Sequence, residues 1–365
     1  MRVRLLKLLL LFSIFVSSLF GSEDVQLQKM VGRMLLVGFA NETVNEKSKI
    51  VEQIQKYDLG GVILFDRFYD DRTKTKNISS PEQLQKLTAS LKSFSKKPLI
   101  ISVDQEGGKV ARLSPKYGFE ATPSASRVAQ LDAYMATHVY NALARTLVHN
   151  GINCDFAPVV DLGVNPDNKV ISGLGRSYGS SSKEVTMYAK IMMTSLKNNN
   201  IISVLKHFPG HGSSLGDSHE GFVDISNTWS KEELEPYKEL IGSGDAAMIM
   251  SAHVFNSNLD AAYPATLSYN VNTKLLREEL GFDGVLVSDD LQMGALANRY
   301  TLEEIVTLSI NSGVDMLLFG NQLASQDIDE LVAVIVSGVK KGSISFERIK
   351  ESNKRIEKLM QRYKL

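Results

Sequence analysis

The chain has 365 residues, 43% of them hydrophobic and 22% charged, a globular composition long enough to bury a large core. Its 41 basic and 41 acidic residues cancel, so no general affinity for nucleic acid or for acidic surfaces is expected. Cys154 is the single cysteine, which excludes an internal disulfide, and its apolar, strand-like surroundings read as a buried structural thiol.

At the N-terminus, Arg2, Arg4 and Lys7 precede an apolar run from Leu8 to Val16, and Ser17, Ser18 and Gly21 follow. Basic, apolar and then small residues are the order of a secretory signal, and the run is short for a membrane span. Residues 1–21 are therefore expected to export the chain to the periplasm or the cell envelope, leaving 22–365 as one catalytic domain. Beyond that point short apolar runs alternate with longer amphipathic stretches. Buried parallel strands are predicted over Met34–Phe39, Gly61–Phe65, Leu99–Asp104, Asn153–Val160, Ser203–His207, Ala246–Val254, Gly284–Asp289 and Asp315–Phe319. Helices are predicted over Pro81–Ser95, Ala125–Asn150, Ser182–Asn199, Lys231–Ile241, Thr301–Ser312, Ser325–Lys341 and Ser345–Tyr363, the last capped by Ser345. Eight strands with crossover helices define an α/β fold, a closed (β/α)₈ TIM-type barrel of one domain. An open doubly wound sheet is the alternative, but Phe39-Ala40-Asn41-Glu42 after the first strand is no dinucleotide fingerprint.

In such a barrel the C-terminal strand ends face the ligand, and here they are rich in charge. The third runs into Asp104-Gln105-Glu106-Gly107-Gly108, with Arg112 beyond it. The fourth reaches Asp161, the fifth Lys206-His207, the sixth Met250 and His253, and the seventh Asp289-Asp290. Any one acidic strand end could be a helix cap; several on one rim suggest a site. Four of the six histidines, His207, His211, His219 and His253, lie in the fifth and sixth strand-end regions, whereas His138 and His149 fall on a predicted helix. The segment Phe208–Glu220 contains Pro209 and three glycines, so it cannot be a regular helix, and it is long for a strand-to-helix connection. Asp217 and His219 stand two residues apart in it. The carboxylate could orient the imidazole and raise its pKa, which suits general acid/base chemistry. Zinc on His207, His211, His219 and Asp217 is disfavoured because Pro209 and Gly210 break helical histidine spacing. A serine hydrolase is disfavoured by the missing nucleophile elbow. Consecutive strand residues face opposite sides, so one of Asp289 and Asp290 is expected to face the axis, the other to cap the next helix.

The stretch Lys206-His207-Phe208-Pro209-Gly210-His211-Gly212 with Asp217-Ser218-His219 resembles the signature of bacterial β-N-acetylglucosaminidases of glycoside hydrolase family 3. Gly60-Gly61-Val62-Ile63-Leu64-Phe65, Asp104-Gln105-Glu106-Gly107-Gly108, Gly175-Arg176-Ser177-Tyr178-Gly179 and Val287-Ser288-Asp289-Asp290-Leu291 are similar in the same order, over nearly the whole chain after residue 21. The resemblance implies a retaining exo-β-N-acetylglucosaminidase acting on a saccharide ending in N-acetylglucosamine, from peptidoglycan fragments above all. It implies Asp289 as nucleophile and His219, held by Asp217, as acid/base. It implies Asp104, Arg112, Arg176, Lys206 and His207 as sugar ligands, with His253 and Met250 lining the pocket. No metal, cofactor or obligate protein partner is implied. A phosphorylase on the same fold and a non-catalytic envelope sugar-binding protein are the alternatives. Tyr178 stands where the family often has Phe, and the proline common after Asp-Ser-His is replaced by Glu220-Gly221-Phe222. The loop is accordingly expected to be mobile, with His219 reaching the glycosidic oxygen only when substrate is bound. His211 and the charged segment Asp66–Asn77 receive no role.

Overall fold

The computed structural model describes residues 23–365; the secretory pattern expected over residues 1–21 lies outside the described residues. Eight strands form the main sheet, each within a residue of an expected run or shorter: β1 (Leu35–Gly38), β2 (Gly61–Ile63), β3 (Ile100–Val103), β4 (Cys154–Asp155), β5 (Ile202–Phe208), β6 (Met248–Ser251), β7 (Val285–Ser288) and β8 (Leu317–Phe319). They pair in parallel in the order β7-β6-β5-β4-β3-β2-β1-β8. All their residues are buried, which is why they read as continuous apolar runs rather than as alternating ones. At the seam the Asp315 and Met316 amides donate to the Leu286 carbonyl at 2.8 and 3.1 Å, and the Leu291 amide donates to Leu318 at 3.0 Å. These bonds join β7 to β8, so the sheet closes into a barrel and the open alternative is set aside.

Helices cover the outside: α1 (Lys49–Tyr57), α2 (Pro81–Phe94), α3 (Ala133–His149), α4 (Ser182–Lys197), α5 (Glu235–Gly242), α6 (Leu302–Ser312), α7 (Ile328–Lys341) and α8 (Phe346–Arg362). A π-helix, Asn270–Glu279, connects β6 to β7. In α1 the buried residues Ile50, Val51, Ile54 and Tyr57 form one apolar stripe, and the helix stops at Asp58 in the left-handed region. α6 starts with a complete capping box between Thr301 and Glu304.

Three local expectations change. The run 125–150 is two helices, because the Asp132 side chain accepts the Met135 amide and starts α3 afresh after Ala125–Val128. β4 ends at Asp155 rather than Val160; Pro158 has no amide to offer a ladder. Ser345 holds the N-cap position of α8 but makes no side-chain cap bond. Cys154 is wholly buried in β4, and burial pushes its thiol well up, as a structural thiol requires.

Candidate active site

Seven of the eight strands deliver side chains to one cavity of about 430 Å³ at their C-terminal ends. Its floor is a chain of buried ion pairs. Lys206 Nζ donates to Asp104 Oδ1 at 2.8 Å and lies 2.7 Å from Glu106 Oε1. Arg176 grips Glu106 with two parallel bonds of 2.7 Å, and Arg112 Nη2 reaches Asp104 Oδ2 at 3.2 Å. Burial alone would neutralise Asp104, but the Lys206 and Arg112 charges prevail and hold it well below the usual carboxylate range. Lys206 is raised in turn: burial opposes its charge, and Asp104 and Glu106 outweigh burial. The floor is therefore a set of fixed charges of both signs, suited to binding sugar hydroxyls directionally.

His207 stands beside this network. Its Nδ1 faces Asp161 Oδ2 at 2.7 Å and its Nε2 faces Arg176 Nη2 at 3.2 Å. An arginine has no lone pair to offer, so Nε2 accepts and the proton sits on Nδ1. Adjacent strand residues normally point apart, yet Lys206 and His207 both line the cavity. The register of β5 against β6 shifts between Leu205 and Phe208, which breaks the pleat at these two residues.

Asp289 and Asp290 also both line the cavity, so the expectation that only one could do so is corrected. β7 ends at Ser288, and the pleat no longer constrains the two residues. Nor is Asp290 a helix cap: its carboxylate accepts the Gln292 and Gly320 amides, at 3.1 and 3.2 Å, while Met293 precedes the short helix Gly294–Ala297. The environments differ. For Asp289 burial is outweighed by the nearby imidazoles of His253, His207 and His219 and by the Asp290 amide, and its pKa falls. For Asp290 burial dominates and pushes the carboxyl up to about 6.

Opposite them, Asp217 Oδ1 takes both the His219 ring nitrogen Nδ1, at 2.7 Å, and the His219 amide, at 2.9 Å. Partial burial would lower the imidazole pKa; the bond to Asp217 and the Asp289 charge prevail and raise it. The loop that carries this pair makes several contacts with the rest of the barrel. The Ser218 and His219 carbonyls accept the Ala295 and Gly294 amides, at 3.2 and 3.3 Å, immediately after Asp289. A Cβ at Gly294 would come within 2.9 Å of the His219 carbonyl oxygen, so a residue without one belongs there. His211, without a role in the sequence, bridges the Ser214 hydroxyl at 2.7 Å and the Ser218 hydroxyl at 3.3 Å. Asn168 Nδ2 donates to the His211 and Gly212 carbonyls.

Of the expected sugar ligands, Asp104, Arg112, Arg176, Lys206, His207 and Met250 line the cavity. His253 does not. It is fully buried behind the wall, with Nδ1 on Thr266 Oγ1 at 2.8 Å and Nε2 donating to the Asp290 carbonyl at 2.9 Å. It supports the Asp289-Asp290 backbone instead. Glu106 and Asp161, named among the charged strand ends but given no role, belong to the site through Arg176 and His207, and the Phe65 ring lies under Arg112. The role of Glu106 could have been found from its spacing of two from Asp104. Tyr178, the departure from Phe, spends its hydroxyl on Tyr140 of α3 at 2.7 Å.

The pattern of the glycosyl hydrolase family 3 N terminal domain matches residues 26–359, and the chain belongs to this family. The chain is 32% identical over 338 residues to "Beta-hexosaminidase A" of Pseudoalteromonas piscicida, an alignment covering 85% of this chain and 54% of that protein. It is 33% identical over 304 residues to a "Beta-hexosaminidase" of Nitrosomonas eutropha, covering 80% of this chain and 82% of the relative. Among solved structures, a family 3 β-N-acetylglucosaminidase from Paenibacillus sp. str. FPU-7 superposes with a TM-score of 0.83 at 32% identity, over 92% of this chain and 62% of that one. The chain thus spans about half of the Pseudoalteromonas protein and under two thirds of the Paenibacillus one.

Proposed function

We propose that this protein is a retaining exo-β-N-acetylglucosaminidase, with residues 22–365 as its catalytic unit. The observation that carries the reading is the pairing, across one cavity, of an ionised Asp289 with an imidazole whose pKa Asp217 raises. In the first step the Asp289 carboxylate attacks the anomeric carbon, and the bond from that carbon to the leaving oxygen breaks. The proton on His219 Nε2 passes to the leaving oxygen while Asp217 stabilises the imidazolium. A β-glycosyl residue thereby becomes an α-linked ester on Asp289. In the second step neutral His219 takes a proton from water, whose oxygen displaces Asp289 and restores the β configuration. Asp104, Arg112, Arg176, Lys206 and His207 hold the terminal sugar, and Met250 packs beside it.

The substrate is proposed to be a peptidoglycan fragment. Arg67, Arg72 and Lys169 line the outer part of the cavity, where the group beyond the scissile bond would lie. Arg67 is paired with Asp66 at 3.4 Å, which leaves Arg72 and Lys169; a neutral second sugar has no need of these cations, whereas an N-acetylmuramic acid carries a carboxylate that does. Export by residues 1–21 would bring the protein to such fragments.

Incubation of the purified protein with a fluorinated N-acetylglucosaminide, followed by mass spectrometry, tests the core of this proposal. An adduct on Asp289 is expected, and an adduct elsewhere or none overturns the nucleophile assignment. Turnover of p-nitrophenyl β-N-acetylglucosaminide without phosphate separates a hydrolase from a phosphorylase. Product only in the presence of phosphate, as sugar 1-phosphate, overturns hydrolysis.

A further inference from the structure

Glu233 is a buried carboxyl that the chemistry above leaves unused. It lies in the 3₁₀ turn Lys231–Leu234 that leads into α5 and is 1% exposed. Its Oε2 accepts the Gly212 amide at 3.1 Å. Its Oε1 has no hydrogen-bond partner among the described residues. Contact with the loop after β5 is tight, since a Cβ built on Gly210 would stand 2.7 Å from the Glu233 Cβ. Next to it Trp229 Nε1 donates to the Pro209 carbonyl at 3.0 Å, and from the barrel side Asp161 Oδ1 takes the His211 amide at 2.8 Å. The segment 209–213 is thus held from both sides. From its middle, the His211 ring reaches Ser214 and Ser218, and Ser218 immediately precedes His219. Burial, reinforced by the Asp161 charge, pushes the Glu233 carboxyl up to about 7, against the opposing groups of Ser213 and Gly212. Such a group is costly to bury, and an apolar side chain at this point could not hold the Gly212 amide.

We infer that Glu233 is a positioning residue: through the backbone of residues 210–213 and the His211 relay it sets where His219 stands over the glycosidic oxygen. The inference rests on His219 being the acid/base. A displaced acid matters in the first step only when the leaving group needs a proton. The experiment compares kcat/KM for an N-acetylglucosamine disaccharide with that for a 2,4-dinitrophenyl β-N-acetylglucosaminide in the intact protein. Glu233→Met, which fills much the same space but offers the Gly212 amide no comparable acceptor, is expected to lower the disaccharide value about 10- to 100-fold through kcat, with KM little changed and the dinitrophenyl value near wild type. Equal loss on both substrates, or loss on neither, overturns the inference. Glu233→Gln, whose amide oxygen can still accept the Gly212 N–H, is expected to keep most of the activity, and a loss equal to that of Glu233→Met overturns the inference. Should Glu233→Met fail to fold, Glu233→Asp carries the same comparison, because a shortened carboxylate cannot hold the Gly212 amide in place. His219→Ala is measured beside it. If His219→Ala lacks leaving-group selectivity, the acid/base assignment itself fails; if it shows selectivity and the Glu233 variants do not, only the positioning role fails.

Discussion

Asp289 and Asp290 are chemically identical neighbours, and their surroundings drive them apart. The surrounding imidazoles and the Asp290 amide hold Asp289 below the ordinary carboxylate value, whereas Asp290 is dominated by burial and occupied by the Gln292 and Gly320 amides. Asp289→Asn is therefore expected to cost at least about 10⁴-fold in kcat, and Asp290→Asn about tenfold or less, with steady-state turnover as the measurement. The pH profile of kcat/KM follows from the same contacts. With Asp289 as the proposed nucleophile and His219 as the proposed acid/base, activity is expected to fall on the acid side as Asp289 is protonated, below the ordinary carboxylate value, and on the alkaline side as His219 loses its proton, above the ordinary imidazole value. Asp217→Asn removes the main support of the imidazolium, so its alkaline limb is expected at lower pH than wild type; an unmoved limb would count against the dyad. The charged strand ends made most of these residues visible beforehand. Strand periodicity could not choose between the two aspartates and only the family resemblance favoured Asp289, because their difference depends on amides and imidazoles that arrive from β8, β5 and β6. His253 misled for a related reason: a strand-end histidine looks the same in sequence whether its ring faces the cavity or a backbone carbonyl behind it.

The connection after β5 illustrates what glycine and proline content can and cannot convey. It correctly excluded a helix, but it gave no hint of the contacts that the side chains of His211, Asn168, Ser214 and Ser218 make within it. His211→Ala removes the bridge between Ser214 and Ser218. Hydrogen exchange at residues 214–219 should rise and kcat should fall about tenfold, with KM little affected. The partners of a polar loop lie far along the chain, so local composition reports only what the backbone cannot do. Helices were easier to place where a cap and an apolar stripe coincide, as in α6. A Thr301→Ala substitution there should lower stability by about 1 kcal/mol in thermal melts without touching turnover.

The barrel is closed by one buried carboxylate as much as by backbone pairing. Asp315 Oδ2 accepts the Leu286 amide at 3.0 Å and Arg277 Nη2 at 2.7 Å, while Oδ1 takes Arg348 Nη2 at 2.5 Å. The π-helix, the β7–β8 seam and α8 thus meet at a single side chain. Asp315→Ala would leave the buried Arg277 guanidinium without a carboxylate and would leave Arg348 and Arg355 only Glu351 and Asp283, and it should cost about 3–5 kcal/mol in denaturant unfolding, with the kinetic constants of the folded fraction unchanged. Eight apolar runs were enough to expect a barrel, whereas this knot joins positions far apart in the chain and has no local pattern. The bonds from Gly294 and Ala295 to the carbonyls of His219 and Ser218 bear on protein engineering as well. Anyone transplanting the Pro209–His219 segment into another barrel would have to carry residues 289–297 with it. The two stretches form a single exchangeable cassette, although some seventy residues of chain separate them.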